Sequence, residues 1–319
     1  MPSTPLALIV AGPTASGKSA LALELAERQG GTIINADAMQ CYRELRILTA
    51  RPSPEDEARV PHALYGVRPA AEAGSVAWWR DAALAEMERA RMAGRLPILT
   101  GGTGLYFASL TDGLADIPDV GIAARTDARM LLKQIGPVAL HSRLAEVDLT
   151  TATRLRSTDS QRIARAWEVW SGTGVGLAAW QAKTAKPAAW HFAAILLDPP
   201  REELRQAIAT RFCSMLEAGV LEEVRTLLAL RLDPALPAMR AHGVPELSAH
   251  LRGEITLEAA ARTVELVTGQ YTKRQATWFR HHPLADPQRT HTIRARISHL
   301  EQDSKRNLAT ALTFIEGLS

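Results

Sequence analysis

Leu6-Ala-Leu-Ile-Val-Ala11 running into Gly12-Pro13-Thr14-Ala15-Ser16-Gly17-Lys18-Ser19 is the stretch on which the fold turns. A short apolar run that ends at Gly-Pro reads as a strand buried on both faces, the habit of parallel sheets. From Lys18 to Gln29, Leu21, Ala22, Leu25 and Ala26 recur at helical spacing until Gly30-Gly31 stops the run. The octapeptide between strand and helix fits G-x-x-x-x-G-K-[ST]; a chance match in a chain of this length is on the order of one in a hundred. In that position, loop N–H groups and the positive end of the helix wrap a phosphate chain. Gly12 to Ser19 are therefore expected to bind a di- or triphosphate, with Lys18 neutralising the outer phosphate and the Ser19 hydroxyl holding Mg²⁺. The loop does not distinguish kinases, NTPases and diphosphate-dependent transferases.

Outward from the loop, strand and helix signals alternate. Thr32–Ala36 reads as a second strand, Leu96–Thr100 as a third entered from an amphipathic Trp78–Ala93, and Phe192–Leu197 as a fourth. Strands separated by helices predict an α/β fold, a P-loop NTPase-like parallel sheet flanked by helices. From about Asp112 to Pro187 the strand signals vanish, and Pro118, Gly136-Pro137 and the Gly172–Gly176 cluster punctuate short helices. The expected organisation is a discontinuous core of residues 1–112 and 191–319 interrupted by an all-helical insertion at 113–190. Past Asp198 the sequence predicts helices over Arg201–Leu230 and Leu257–Phe279. The regularly spaced Met and Leu of Phe212–Leu228 belong to a core, not a cofactor box, and the polar tail beyond His282 reads as peripheral.

Composition narrows the classes. A content of 46% hydrophobic and 22% charged residues is that of an ordinary globular protein. No run approaches the ~18 apolar residues of a membrane span, so no membrane partner is expected. Met1 to Pro5 lacks the basic and small-residue features of a secretory leader. The two cysteines, Cys41 and Cys213, are too few for a disulfide framework or zinc site and fit reduced thiols in a cytoplasmic protein. A net charge of +3 permits a polyanionic partner without demanding one. A monomer is expected.

Three features bear on the chemistry. Asp37 closes the second strand in Asn35-Ala-Asp37-Ala-Met-Gln40, and ligands of open α/β sheets sit beyond the carboxyl ends of the strands, so Asp37 should face the phosphate loop. A turn or capping aspartate is the plainer alternative. Thr100-Gly-Gly-Thr103-Gly-Leu-Tyr106 follows the third strand toward the same face, its glycines allowing close backbone approach. Ile195-Leu-Leu-Asp198 has the form of a magnesium-binding strand end, although the following Pro199-Pro200 favours an aspartate that merely ends the strand.

Together these pieces resemble the tRNA dimethylallyltransferase (tRNA isopentenyltransferase) family. GPTASGKS, the NADAMQCYR of Asn35–Arg43 and the PILTGGTGLY of Pro97–Tyr106 look like its first three blocks. DSQRIARAWEV (Asp159–Val169) with Trp180-Gln181, RFCSMLEAGVLEEV (Arg211–Val224), PAMRAHGVPE (Pro237–Glu246) and QYTKRQATWFR (Gln270–Arg280) look like the rest, in family order from about Leu6 to Arg280. The chain departs from the pattern at Ala38, where the family usually has serine. It departs again at Leu155–Thr158, where histidine-proline-asparagine is commoner, and at His242-Gly-Val-Pro245, in place of Ile-Gly-Tyr-Lys.

The resemblance implies transfer of a dimethylallyl group from dimethylallyl diphosphate to N6 of adenosine 37, just 3′ of the anticodon in a tRNA anticodon stem-loop. Diphosphate is the leaving group, and the phosphate loop with Lys18, Mg²⁺ and Arg162 would stabilise its charge. Asp37 would accept the amine proton, with Thr103 positioning the amine or a diphosphate oxygen. RNA contact is implied for Asp37, Ala38, Met39, Gln40, Thr103 and Arg125, and for Gln161, Arg162, Ile163, Ala164 and Arg165. The same holds for Arg240, His242 and Gly243, and for Lys273, Arg274, Gln275, Trp278 and Arg280. Lys273, Arg274 and Arg280 with the interleaved Trp278 and Phe279 suit phosphate contact plus stacking, or equally a solvated basic face over a buried aromatic pair. The alternatives are a small-molecule kinase or NTPase and a non-catalytic tRNA-binding module with a dead phosphate loop.

Overall fold

The computed structural model describes residues 4–183, 186–298 and 302–318; Met1 to Ser3 of the opening segment lie outside them. The chain divides into two compact units, Met1–Thr111 with Ala188–Ser319, and Asp112–Pro187.

In the first unit, β1 (Leu6–Ala11) feeds the phosphate loop and α1 (Lys18–Gln29), followed by β2 (Gly31–Asn35), α2 (Pro54–Arg59) and the two-residue β3 (His62–Ala63). Then come α3 (Val76–Met92), β4 (Leu96–Gly101) and α4 (Gly104–Thr111). The second unit is helical: α5 (Gly121–Val147), α6 (Leu149–Ala152), α7 (Ser160–Thr173) and α8 (Leu177–Ala182). Gly136 (φ 78°, ψ 169°) and Pro137 break α5 into two segments, because that backbone conformation and a ring nitrogen without N–H interrupt the helical ladder. Leu140, Leu144, Ala152, Ile163 and Ala166 form this unit's own core.

The first unit resumes with β5 (His191–Leu197), α9 (Arg201–Glu217), α10 (Val220–Ala229), α11 (Val244–Leu251), α12 (Leu257–His281), β6 (Thr290–Ile293) and α13 (Gln302–Glu316). Its six strands run in the order β3-β2-β4-β1-β5-β6, every pair parallel. The period-two alternation of strand side chains divides β1 between two cores. Leu8 and Val10 join Ile33, Ile98 and Ile195 under Leu21 and Leu25 of α1. Ala7 and Ile9 face the other way, onto Trp79 and Met87 of α3, Phe107 of α4 and Phe279 of α12. A third core, Phe212, Val224, Leu247, Ala260 and Val264, holds α9 to α12 together.

The helical stretch expected over Arg201–Leu230 is present as two helices, parted by Gly219 (φ 91°) in a left-handed conformation. The short edge strand β3 carries no periodic signal and escapes the sequence reading. The tail is not peripheral. β6 extends the sheet beside β5, and Ile293, Ile297, Ala311 and Ile315 are buried in the α1 core. Its strand is only four residues long and mixes threonine and histidine, because three of those positions retain solvent exposure. Beyond β6, the Ile297 N–H donates to the Ser16 carbonyl in the phosphate loop at 3.0 Å.

Ile293→Ala should therefore destabilise the protein by about 2–5 kcal/mol in urea denaturation. A change within about 0.5 kcal/mol would restore the peripheral reading of the tail.

Candidate active site

The phosphate loop is a turn whose conformation is enforced from outside. Gly17, the N-cap of α1, has φ 88°, and a Cβ built there would lie 2.0 Å from the Ile297 carbonyl oxygen, so only glycine fits. Ala15 also has positive φ (68°), a conformation that costs a non-glycine residue about 1–3 kcal/mol unless its surroundings impose it. The surroundings do. Thr14 donates its N–H (2.9 Å) and hydroxyl (3.2 Å) to the Gln275 side-chain oxygen, and Ser16 donates its N–H to Pro13 O. The first N–H groups of a helix have no partner within it, and those of Gly17, Lys18 and Ser19 therefore present donors to an anion.

Asp37 is aimed by Asn35. The buried Asn35 amide donates to Asp37 O (3.0 Å) and Leu64 O (3.0 Å), and its oxygen accepts the Asp37 N–H (2.8 Å). Trp79 fixes Asn35 in turn through an indole N–H on its carbonyl at 2.8 Å. One Asp37 carboxylate oxygen accepts the Met39 N–H at 3.0 Å, closing the turn. Thr103 sits behind: its hydroxyl accepts the Ala38 N–H at 3.0 Å and its N–H donates to Ala36 O at 3.2 Å. Gly101 makes that approach possible, since a Cβ there would lie 2.1 Å from the Ala36 carbonyl. A Tyr271 phenol hydrogen-bonded to Thr103 is pushed up to about 12, by burial first and then by Asp37.

Phosphate loop and Asp37 line one cavity of about 600 Å³. Lys18, Ser19, Arg211 and Arg296 stand at its polar end, and Leu48, Ile208, Phe212, Met215 and Val264 form apolar walls. Lys18 donates to Pro13 O at 3.3 Å, and burial lowers its pKa to about 8 against the opposing pull of Asp37, with Arg211 lowering it further. Arg211 is likewise lowered by burial. It donates to Thr49 O at 3.2 Å, while its buried Nε has no partner among the described residues. Two carboxamide and carboxylate clamps hold the intervening loop. The Gln40 amide donates to Thr49 O and Ala50 O, and Glu223 accepts the N–H groups of Arg46, Ile47 and Leu48 at 2.7–2.8 Å.

The structure brings Thr14, Ala15, Gly17, Lys18, Ser19, Asp37, Met39, Gln40 and His242 to this cavity, while Gly12, Pro13 and Ser16 are buried behind it. Several assignments change. Gln275 is buried, its oxygen on Thr14 and its NH₂ on Gly102 O at 2.9 Å, so it joins two loops and does not present its amide to RNA. Ile163 is wholly buried in the helical core and cannot touch RNA. Gly243 is buried against Leu48, and Ser16 is buried, its hydroxyl without a partner among the described residues, leaving it a structural place in the loop. Asp198 accepts from Arg280 at 3.1 Å and its N–H pairs with Ile293 O, so it ends its strand as the prolines suggest. Phe279 is buried and Trp278 half-buried, stacked on His282 at 4.3 Å, while Lys273, Arg274 and Arg280 are exposed, a geometry common to both readings of this helix. Arg240 is exposed as well. Phe212 and Met215 serve the core and the cavity wall together.

Arg125, Gln161, Arg162, Ala164 and Arg165 lie in the helical unit. Arg125 and Arg165 share Glu168, Gln161 is exposed, and Arg162 is exposed with only a 3.5 Å ion pair to Asp159, the N-cap of α7. The sequence reading missed Arg211, although its signal is present. It is the lone cation on the apolar stripe Leu204, Ala207, Ile208, Arg211, Phe212, Met215. Arg296 and Glu223 have no comparable local signal.

A parallel sheet with a phosphate loop after its central strand, opening on a cavity with apolar walls, defines a P-loop protein. The family model described as IPP transferase matches residues 40–282, and that described as isopentenyl transferase matches residues 5–63. The chain is 62% identical over 310 residues to a tRNA dimethylallyltransferase of Granulibacter bethesdensis, covering 97% of each chain. It is similar to the crystal structure of a tRNA isopentenylpyrophosphate transferase from Bacillus halodurans (TM-score 0.69, 28% identity, 99% of this chain and 96% of that one). A eukaryotic dimethylallyltransferase acting on tRNA shares the fold at TM-score 0.81 and 24% identity, over 98% of this chain and 80% of that one. The chain belongs to the IPP transferase family.

The Lys18 environment has a measurable consequence. A folded-state pKa of about 8 against 10.5 means the folded protein binds fewer protons than the unfolded chain between those values, so stability from this residue rises with pH across that window. Urea denaturation of wild type and Lys18→Met at about pH 7.5 and about pH 10 should show the stability difference, wild type minus variant, rising with pH, whatever other groups contribute to both. Equal pH dependence in both would mean that Lys18 is not desolvated. Affinity for inorganic diphosphate should weaken above about pH 8 for the same reason, as the cation is lost.

Proposed function

We infer that the protein transfers a dimethylallyl group from dimethylallyl diphosphate to N6 of adenosine 37 in tRNA, releasing diphosphate. The observation that carries this is the single cavity that joins a phosphate loop, a carboxylate and apolar walls. The apolar walls lie beside the phosphate donors, where the five-carbon chain of an allylic diphosphate would be sheltered from water. The diphosphate lies on the Gly17, Lys18 and Ser19 N–H groups and against Lys18 and Arg211. The five-carbon chain lies on Leu48, Ile208, Phe212, Met215 and Val264.

Departure of diphosphate builds negative charge at the bridging oxygen and positive charge on the allylic carbon. The donors at the loop are already oriented, so they stabilise that charge without reorganising. The adenine amine is a poor nucleophile because its lone pair is delocalised into the ring. As the carbon–nitrogen bond forms, Asp37 accepts the amine proton, and Asn35, Trp79 and Thr103 keep its carboxylate aimed. Thr103 acts through the Ala38 N–H, one step behind the reacting atoms.

Mg²⁺ suits this site. Among the described residues no group of three acidic, histidine or cysteine side chains could hold a metal by itself. The exposed Ser19 hydroxyl at the mouth therefore suits a magnesium held mainly by diphosphate oxygens and water. When bound, that ion would neutralise part of the leaving-group charge.

An anticodon loop supplies a base that can leave its stack. Exposed Lys273, Arg274 and Arg280 on α12 and Arg240 ahead of α11 suit the RNA backbone, as do exposed Arg125, Gln161 and Arg162 on the helical unit. His242, half-buried with its ring tilted against Tyr271 at 5.0 Å, has its pKa lowered by burial and by Arg274, and so meets the base as a neutral ring.

Purified protein incubated with Mg²⁺, labelled dimethylallyl diphosphate and unmodified tRNA should place label on adenosine 37 in RNA digests. ATP turnover without transfer would replace this reading by a kinase. Asp37→Ala should lower turnover by about 10²- to 10⁴-fold while diphosphate binding persists, and near wild-type turnover would remove Asp37 from the base role.

A further inference from the structure

The segment that follows β6 reaches the phosphate loop at two consecutive residues. Ile297 donates its N–H to Ser16 O at 3.0 Å, and Arg296 donates its side-chain Nε to Ala15 O at 3.1 Å. The Arg296 backbone N–H is itself tied to Glu203 of α9 at 3.1 Å, so the residue is held from both ends. A guanidinium is a rigid planar fork, and fixing Nε fixes the direction of the two terminal nitrogens. Those nitrogens have no acceptor among the described residues, and the side chain lines the cavity beside Lys18 and Arg211.

We propose that Arg296 is a diphosphate-binding residue, its terminal nitrogens donating to the leaving group while its Nε holds the phosphate loop open. This rests on the diphosphate reading of the cavity given above. Independent support comes from the neighbouring cations. Arg211 carries a buried Nε without a partner among the described residues and lies near enough to Arg296 for that neighbouring charge to disfavour its own. Three cations, Lys18, Arg211 and Arg296, thus border one cavity end with Asp37 as the acidic residue lining it. Such an arrangement is costly without an anion and is relieved by one carrying two or three charges. The loop conformation and the anion contact are coupled through one side chain. The Ala15 carbonyl that Arg296 holds belongs to the residue forced into positive φ, and this is the turn that presents the donors.

The test uses the full chain and inorganic diphosphate. Isothermal titration should show Arg296→Gln binding diphosphate about 10- to 100-fold more weakly than wild type, the loss of a charged hydrogen-bond donor. Arg296→Lys, which keeps the charge but loses the fork, should fall between them. Nitrogen-15 spectra of the wild-type guanidinium groups provide a measurement that needs no stable variant. Added diphosphate should shift the Arg296 terminal nitrogens and slow their proton exchange. Affinity of Arg296→Gln within twofold of wild type, or an unmoved Arg296 signal while Arg211 shifts, would reduce Arg296 to a prop for Ala15. Wild-type protein that fails to bind diphosphate at all would instead overturn the reading of the cavity, and this inference with it.

Discussion

A loop that turns its N–H groups toward an anion cannot also satisfy its own carbonyls and side chains. That constraint organises the first unit. Thr14 is met by Gln275 from α12, Ala15 O by Arg296 and Ser16 O by Ile297, the latter two from the segment after β6. A residue with φ 68° and a glycine with φ 88° stay in place because distant parts of the chain converge on them. The loop's local sequence makes the turn possible, and long-range hydrogen bonds make it the resting state.

The same logic governs the carboxylate. An aspartate at a strand end caps a turn by default, and Asp37 does so through Met39. What aims it into the cavity is the chain of buried bonds from Trp79 to Asn35 to the Asp37 backbone, with Thr103 pressing from the neighbouring strand end across Gly101. Each bond contributes on the order of 1 kcal/mol, and their joint effect is direction more than stability. Polar groups with few acceptable geometries specify an orientation that apolar packing alone would leave loose.

Apolar walls complete the chamber economically. Phe212, Met215 and Val264 belong both to the core that binds α9 to α12 and to the cavity lining, so packing that stabilises the helices also shapes the ligand space. Glu223 and Gln40 anchor the Arg46–Ala50 loop over that space through backbone groups, which leaves Leu48 turned inward. Lys18 and Arg211 carry charge into the same enclosure, where burial lowers the pKa of both.

Much of this was legible in the sequence. The run from Leu6 to Gln29 determined a strand, a phosphate loop and a helix, because period, punctuation and motif act over a few residues and agree with one another. The alternation of strands and helices determined the parallel sheet, and the position of Asp37 after a strand placed it at the ligand side. Tertiary structure alone decided what depends on partners far along the chain. Gln275 became an internal brace and Ile163 a core residue, since burial is set by what packs against a position and not by its neighbours in sequence. The tail after His282 became the sixth strand and the loop's clamp, because a short polar edge strand gains its order from the ladder it joins. Arg211 showed a faint signal as a cation on an apolar stripe, while Arg296 showed none. Its role exists only where the carbonyl of Ala15, some 280 residues away, comes within 3.1 Å of its side chain.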